Sequence, residues 1–172
     1  KAYDVYGDLL TGDMALTSVI YGWFRTITEF QTTVDYTQQD NYQVWRFYYR
    51  LIFAANTVID GLGGSDAIPA TAAGRWYMGQ AKAMRAFSYF YLAQYFQNEY
   101  NPSEKILPLY KNTVDPNLPK SSAADVYALM VKDLTDAQTL LADFNRANKS
   151  EVNAAVAKGM LAYVHDTDLV YQ

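Results

Sequence analysis

Gly79-Gln80-Ala81-Lys82-Ala83-Met84-Arg85-Ala86-Phe87-Ser88-Tyr89-Phe90-Tyr91-Leu92 is the run whose periodicity decides the fold. Wound at 3.6 residues per turn, it places Gly79, Ala83, Ala86 and Phe90 along one side. Small side chains there let a neighbouring helix approach closely. Tyr77, Phe87, Tyr91 and Tyr95 fill gaps on the other sides. The spacing predicts a helix over about 71–97.

On its N-terminal side, Trp45, Tyr48, Tyr49, Ile52, Ala55, Asn56 and Ile59 recur at steps of three and four, one apolar face of a helix over about 38–60. Gly61, Gly63 and Gly64 end that helix, and Pro69 with Thr71 prepares the next start. On the C-terminal side, residues 98–120 hold Asn101-Pro102, Leu107-Pro108 and Asp115-Pro116. Proline lacks a donor and turns its predecessor away from helix, so an ordered loop is expected. Ser122 with Asp125 three residues on resembles a capping box. Tyr127, Met130, Leu134, Ala137, Leu141 and Phe144 then form the face of a helix over about 122–144. A last helix is expected over about 151–165, after a polar turn at 145–149. Residues 1–10 read as the end of a helix, and 11–37 as a long surface loop with short helical turns, of the kind that is functional or mobile. Two hairpins in series give an all-α fold: antiparallel helical hairpins stacked in a tetratricopeptide-like arrangement, with long surface loops.

The 172 residues suit a single helical domain, and 51% apolar content excludes disorder. A net charge of −4, with no long basic run, argues against nucleic acid and against an electrostatic lipid anchor. The absence of cysteine removes disulfides, zinc–thiolate sites and a Cys nucleophile from this segment. No stretch is apolar for the length of a membrane span. The opening Lys1-Ala2-Tyr3-Asp4 shows no signal peptide, and the end at Leu169-Val170-Tyr171-Gln172 is abrupt. Both lead to the expectation that residues 1–172 are a piece of a longer protein.

Four segments, in order, coincide with one family. Trp45-x-x-x-Tyr49-x-x-Ile52-x-x-x-Asn56 resembles the W-x3-Y-x2-I-x3-N helix of SusD/RagB proteins. The Gly79–Leu92 run resembles their small-residue helix. Ser122–Tyr127, continuing to Asp133-Leu134 and Ala137, and then Ala154–Ala162, resemble the two that follow. The resemblance spans roughly 45–164. It implies non-enzymatic capture of oligosaccharides at the outer-membrane cell surface and delivery to a SusC-type TonB-dependent transporter, with no cofactor. Membrane attachment would come only from a lipid anchor outside this segment. Three features depart from the family: the anchoring Cys is missing, the irregular C-terminal region that supplies much of the ligand site is missing, and Tyr163-Val164-His165-Asp166 replaces the usual basic-Val-Tyr-Leu exit. Rival readings are a peptide-binding RagB-like protein, a tetratricopeptide-like interaction domain without a small ligand, and a helical glycoside hydrolase.

The candidate ligand residues are Trp23, Phe24, Arg25 and Tyr36 in the 11–37 loop. With Phe30 they share no single helical face. A pyranose offers a C–H face for stacking, and its hydroxyls need partners such as Arg25, Glu29 or Asp35. The plainer alternative for Trp23 is a hydrophobic plug under the loop, and Asp13 reads as a cap or turn residue. Trp45, Tyr49 and Asn56 read as structural, Asn56 satisfying buried backbone groups near the glycine turn. Arg85 reads as the anchor of a buried network or ion pair, because an unpaired buried charge is costly. His165, Asp166 and Asp168 are too few and too close for a closed metal site, and a solvated helix end is the expected reading. No catalytic constellation stands out, and Gly61-Leu62-Gly63-Gly64 is a helix-ending turn rather than a phosphate cradle.

Overall fold

The computed structural model describes residues 5–17 and 20–170. Among these lie the helices α1 (Val5–Thr11), α2 (Arg25–Thr28), α3 (Gln31–Val34), α4 (Gln39–Gly61), α5 (Ala72–Phe96), α6 (Ala123–Leu140) and α7 (Ala154–Val170). Two short strands, β1 (Lys105–Pro108) and β2 (Lys120–Ser122), complete the set. The chain forms two compact units, Lys1–Phe47 and Tyr48–Gln172.

The second unit is built from helical hairpins. Tyr48 meets Phe87 and Tyr91, the latter ring stacked at 5.6 Å. One turn and more further along, Ala55 and Ile59 cluster with Met78 and Ala81. The contacts climb α4 as they descend α5, so these helices are antiparallel. The same logic orders α5 against α6 and the turn after it. Trp76, Gly79, Lys82 and Arg85 face Asp143, Leu140, Asp136 and Asp133 in succession. Helix α7 packs chiefly on α6. Among the described residues no helix is long and apolar enough to cross a membrane.

Local chemistry sets the helix ends. Gly63 and Gly64 take φ of 106° and 97°, and the Gly64 N–H returns to the Ile59 carbonyl at 2.9 Å, closing α4. The Thr71 hydroxyl caps α5 by accepting from the Gly74 N–H. Ser122 caps α6 by accepting from the Asp125 N–H at 3.1 Å. Asn153 caps α7, its Oδ1 accepting from the Val156 N–H at 3.0 Å. That cap was not recognised in the sequence, and α7 starts three residues later than the spacing suggests.

Three other differences stand out. Helix α6 stops at Leu140, although the apolar spacing runs on to Phe144. Leu141 and Phe144 keep that spacing because the turn carrying them also packs on α5. Leu141 is fully buried beside Gly79, and the Phe144 ring lies 5.3 Å from that of Trp76. Helix α7 runs past residue 165, with His165 and Asp166 exposed on it; the Asp168 side chain is outside the described residues. Between the proline-bearing segment 98–120 and the residues that follow it, an antiparallel ladder pairs Lys105 with Ser122, Leu107 with Ser121 and Pro108 with Lys120. Three or four residues are too few to show alternation in sequence. Pro108 sits at the end of its strand, where the missing donor costs least.

The small-residue seam has a measurable consequence. A Cβ at Gly79 would lie 2.7 Å from Leu141 Cγ, whereas one at Gly159 would meet nothing within 4 Å. Gly79→Ala should destabilise the fold by about 1–2 kcal/mol, overpacking outweighing a helix-propensity gain of about 1 kcal/mol. Gly159→Ala should stabilise it by about 0.5–1 kcal/mol. Urea denaturation of both variants reads the opposite signs.

Candidate functional site

Residues 20–36 belong to the first unit and consist of a 3-10 turn, Ile20–Gly22, followed by α2 and α3. Three aromatic residues here, Tyr21, Phe24 and Phe30, hold φ of 68°, 63° and 56°. For a side chain with a Cβ this left-handed conformation costs on the order of 1–2 kcal/mol. Phe24 and Phe30 stand immediately before α2 and α3, and neither makes a side-chain cap bond. The turns hold the helices to one turn each and keep the rings apart in orientation. Phe24 turns inward, with its ring edge-on to Tyr6 at 5.9 Å, next to the buried Ile27. Trp23 is 56% exposed, Phe30 53%, Tyr21 91% and Tyr36 90%.

Polar bonds hold this segment. The Asp40 carboxylate accepts from Tyr6 Oη at 2.9 Å and from Thr26 Oγ1 at 2.6 Å, tying α1 and α2 to the start of α4. Asn41 Nδ2 donates to the carbonyls of Thr32 and Asp35 at 2.9 and 3.2 Å. The Asp35 carboxyl is held below the usual carboxylate range by the hydroxyl and N–H of Thr37 and the amide of Gln38. Asp40, Asn41 and Tyr6 escaped the sequence reading. The Asp35-x-Thr37 pair is the local turn signal that could have marked where the segment ends.

An open cleft of about 450 Å³ lies in the same unit. Leu9, Met14 and Leu16 supply apolar surface, and Arg25, Thr28 and Glu29 supply polar groups. Arg25 Nε donates to Glu29 Oε1 at 2.6 Å, a pair one helical turn apart and exposed on both sides. Of the four candidate ligand residues, Trp23, Phe24 and Arg25 are consecutive, and Trp23 and Phe24 meet edge to face at 6.4 Å. Tyr36 follows α3, with no ring contact to the other three among the described residues.

In the second unit the polar residues converge differently. Arg85 is wholly buried. Its Nε and Nη2 donate to the two Asp133 oxygens at 2.7 and 2.8 Å, a two-point pairing. Nη1 reaches Asn56 Oδ1 at 2.8 Å and the Lys111 carbonyl at 3.0 Å, and Ser65 Oγ is 3.2 Å away. Asn56 Nδ2 donates to the carbonyls of Tyr110 and Asn112 at 3.2 and 3.4 Å. The backbone it satisfies is thus the proline-bearing loop and not the glycine turn. Tyr49 Oη donates to the Pro108 carbonyl at 2.9 Å, and burial pushes its phenol well up. Trp45 lies on α4 in the first unit and is half-buried. Burial pushes the Asp133 carboxyl up, against the pull of Arg85. The buried Lys82 Nζ contacts the partly exposed Asp136 and the Ser65 carbonyl, each at 2.6 Å. Burial would raise the Asp136 carboxyl, but hydrogen bonds from Lys132 and Lys82 outweigh it and hold the group low.

The sequence profile described as "Starch-binding associating with outer membrane", a SusD-like family, matches residues 4–164. The chain belongs to the SusD-like family. A SusD-like carbohydrate-binding protein from Bacteroides vulgatus superposes with a TM-score of 0.77 at 28% identity, over 95% of this chain and 37% of that one. A SusD superfamily protein from Bacteroides thetaiotaomicron gives 0.73 at 22% identity, over 99% and 38%. A laminarin-binding SusD-like protein gives 0.56 at 24% identity, over 71% and 25%. The last two likenesses establish the fold alone. The chain therefore spans less than two fifths of the length of these SusD-like structures. No curated protein matches.

For this SusD-like chain the buried network yields two tests. Arg85→Met should cost about 3–5 kcal/mol by stranding Asp133, and adding Asp133→Leu should recover part of that loss in chemical denaturation. The folded-state pKa of Asp136 lies below its ordinary 3.8, so its stabilisation is complete above that value and lost as pH falls through the depressed one. The stability gap between wild type and Asp136→Asn should therefore be open at pH 5 and narrow steadily as pH is taken below 3.8.

Proposed function

We propose that this chain is the helical part of a non-enzymatic glycan-capture protein. It would work at the outer-membrane surface and hand oligosaccharides to a SusC-type TonB-dependent transporter. The observation that carries the glycan reading is the exposed Trp23, two residues before the Arg25 of the exposed Arg25–Glu29 pair. An indole face takes the C–H face of a pyranose, and the neighbouring charged groups meet its hydroxyls at both donor and acceptor positions. Tyr21, Phe30 and Tyr36 add exposed ring surface in the same unit. Family membership supports the reading, as does a relative solved with a xylogluco-oligosaccharide. The hairpins of the second unit serve as the scaffold that docks on the transporter. Affinity is expected to be modest, because every sugar hydroxyl is already hydrated before it binds.

Native affinity gels with a panel of polysaccharides test this on the full-length protein. At least one polysaccharide should retard the wild type, and Trp23→Ala should weaken that retardation roughly tenfold or more, the loss expected of an aromatic anchor. Retardation unchanged by the variant moves the glycan site away from Trp23. No retardation by any polysaccharide removes the glycan reading.

A further inference from the structure

The cleft lined by Arg25 and Glu29 also carries information about which glycans it would take, an inference that rests on the glycan-capture reading. Both oxygens of Glu29 are engaged: Oε1 receives Arg25 Nε at 2.6 Å, and Oε2 receives Gln31 Nε2 at 3.1 Å. The two terminal nitrogens of Arg25 meet no acceptor among the described residues. Arg25 thus keeps hydrogen-bond donors while its charge is balanced in place. Glu29 keeps lone pairs, since a carboxylate has about four acceptor positions. A sugar hydroxyl both donates and accepts, so adjacent hydroxyls match such a pair. A carboxylate only accepts; it can use Arg25 alone and is repelled by Glu29. The charge of the unit acts in the same direction. Among its described residues five carboxylates (Asp8, Asp13, Glu29, Asp35, Asp40) stand against two cations (Arg25, Arg46).

We infer that Glu29 is a specificity-determining residue: by neutralising Arg25 it makes the cleft a site for neutral hexose units and turns away uronic-acid sugars. Removing the Glu29 charge leaves an uncompensated guanidinium, the preferred partner of a carboxylate. Glutamine is nearly isosteric, so Glu29→Gln changes the charge with little change of shape.

The test is calorimetric titration of the full-length protein, wild type and Glu29→Gln, with neutral laminari- and xyloglucan-oligosaccharides and with oligogalacturonate of matched length. Wild type should bind a neutral probe and bind oligogalacturonate at least roughly tenfold more weakly. Glu29→Gln should improve oligogalacturonate binding by about tenfold, a gain that shrinks in high salt and disappears in the Arg25→Gln, Glu29→Gln double variant. If wild type binds neutral probes and Glu29→Gln leaves the neutral-to-acidic ratio unchanged, the role of Glu29 is overturned and glycan capture stands. Wild type that prefers oligogalacturonate overturns the inference in the same way. If neither protein binds any probe, the inference falls together with the capture reading.

Discussion

The two-point ion pair between Arg85 and Asp133 is the constraint around which the second unit is organised. A guanidinium with no solvent contact is tolerable only if nearly all its donors are met, and here they are met by α4, α6 and two connecting loops. Each partner fixes the position of the element that carries it. Asn56 sets the height of α4, Asp133 that of α6, and the Lys111 carbonyl the course of the proline-bearing loop. Apolar burial contributes more of the stability, at about 1.5–3 kcal/mol for each large side chain. The charged network adds a sharp constraint on register, because a one-turn slip would leave Asp133 or Arg85 buried alone. It acts in the same direction as the close approach at Gly79, which also fits only one register.

The first unit is held by shorter-range means. Its α2 and α3 are single turns, too short to be stable by themselves. Asp40 and Asn41, from the first turn of α4, bond to side chains and carbonyls of the preceding segment and order it. Large rings remain exposed because polar bonds, and not ring burial, fix the backbone there. Such a surface offers apolar area already in place, so a ligand need not bear the cost of ordering it.

Much of the second unit could be read from the chain. The periodic faces around Ile52, Ala83 and Leu134 found their helices, because side-chain spacing and helix pitch are the same signal seen twice. Gly79 was legible as a close approach, and Arg85 as a residue that burial would oblige to pair. The limits were also physical. Leu141 and Phe144 continue a helical spacing in a turn, since a turn packed on α5 demands the same apolar positions as a helix. The β1–β2 ladder depends on backbone pairing between distant residues and leaves no pattern in so few of them. In the 20–36 segment, nothing in the composition distinguishes the inward Phe24 from the outward Trp23. Their separation comes from left-handed backbone turns at aromatic residues, where glycine or asparagine would be the usual indication.

Those turns also bear on how such a surface could diverge. Exposed positions are ordinarily the ones that accept substitution most freely. Tyr21 and Phe30 do not follow that rule, and the inward Phe24 shares their constraint. Glycine would relax the backbone at each of them but remove the ring, and a β-branched residue would add to the strain. Trp23, Arg25, Glu29 and Tyr36 carry no such backbone burden. Substitution is therefore freer at those four positions, while Phe24 and Phe30 between them, and Tyr21 before them, keep the frame.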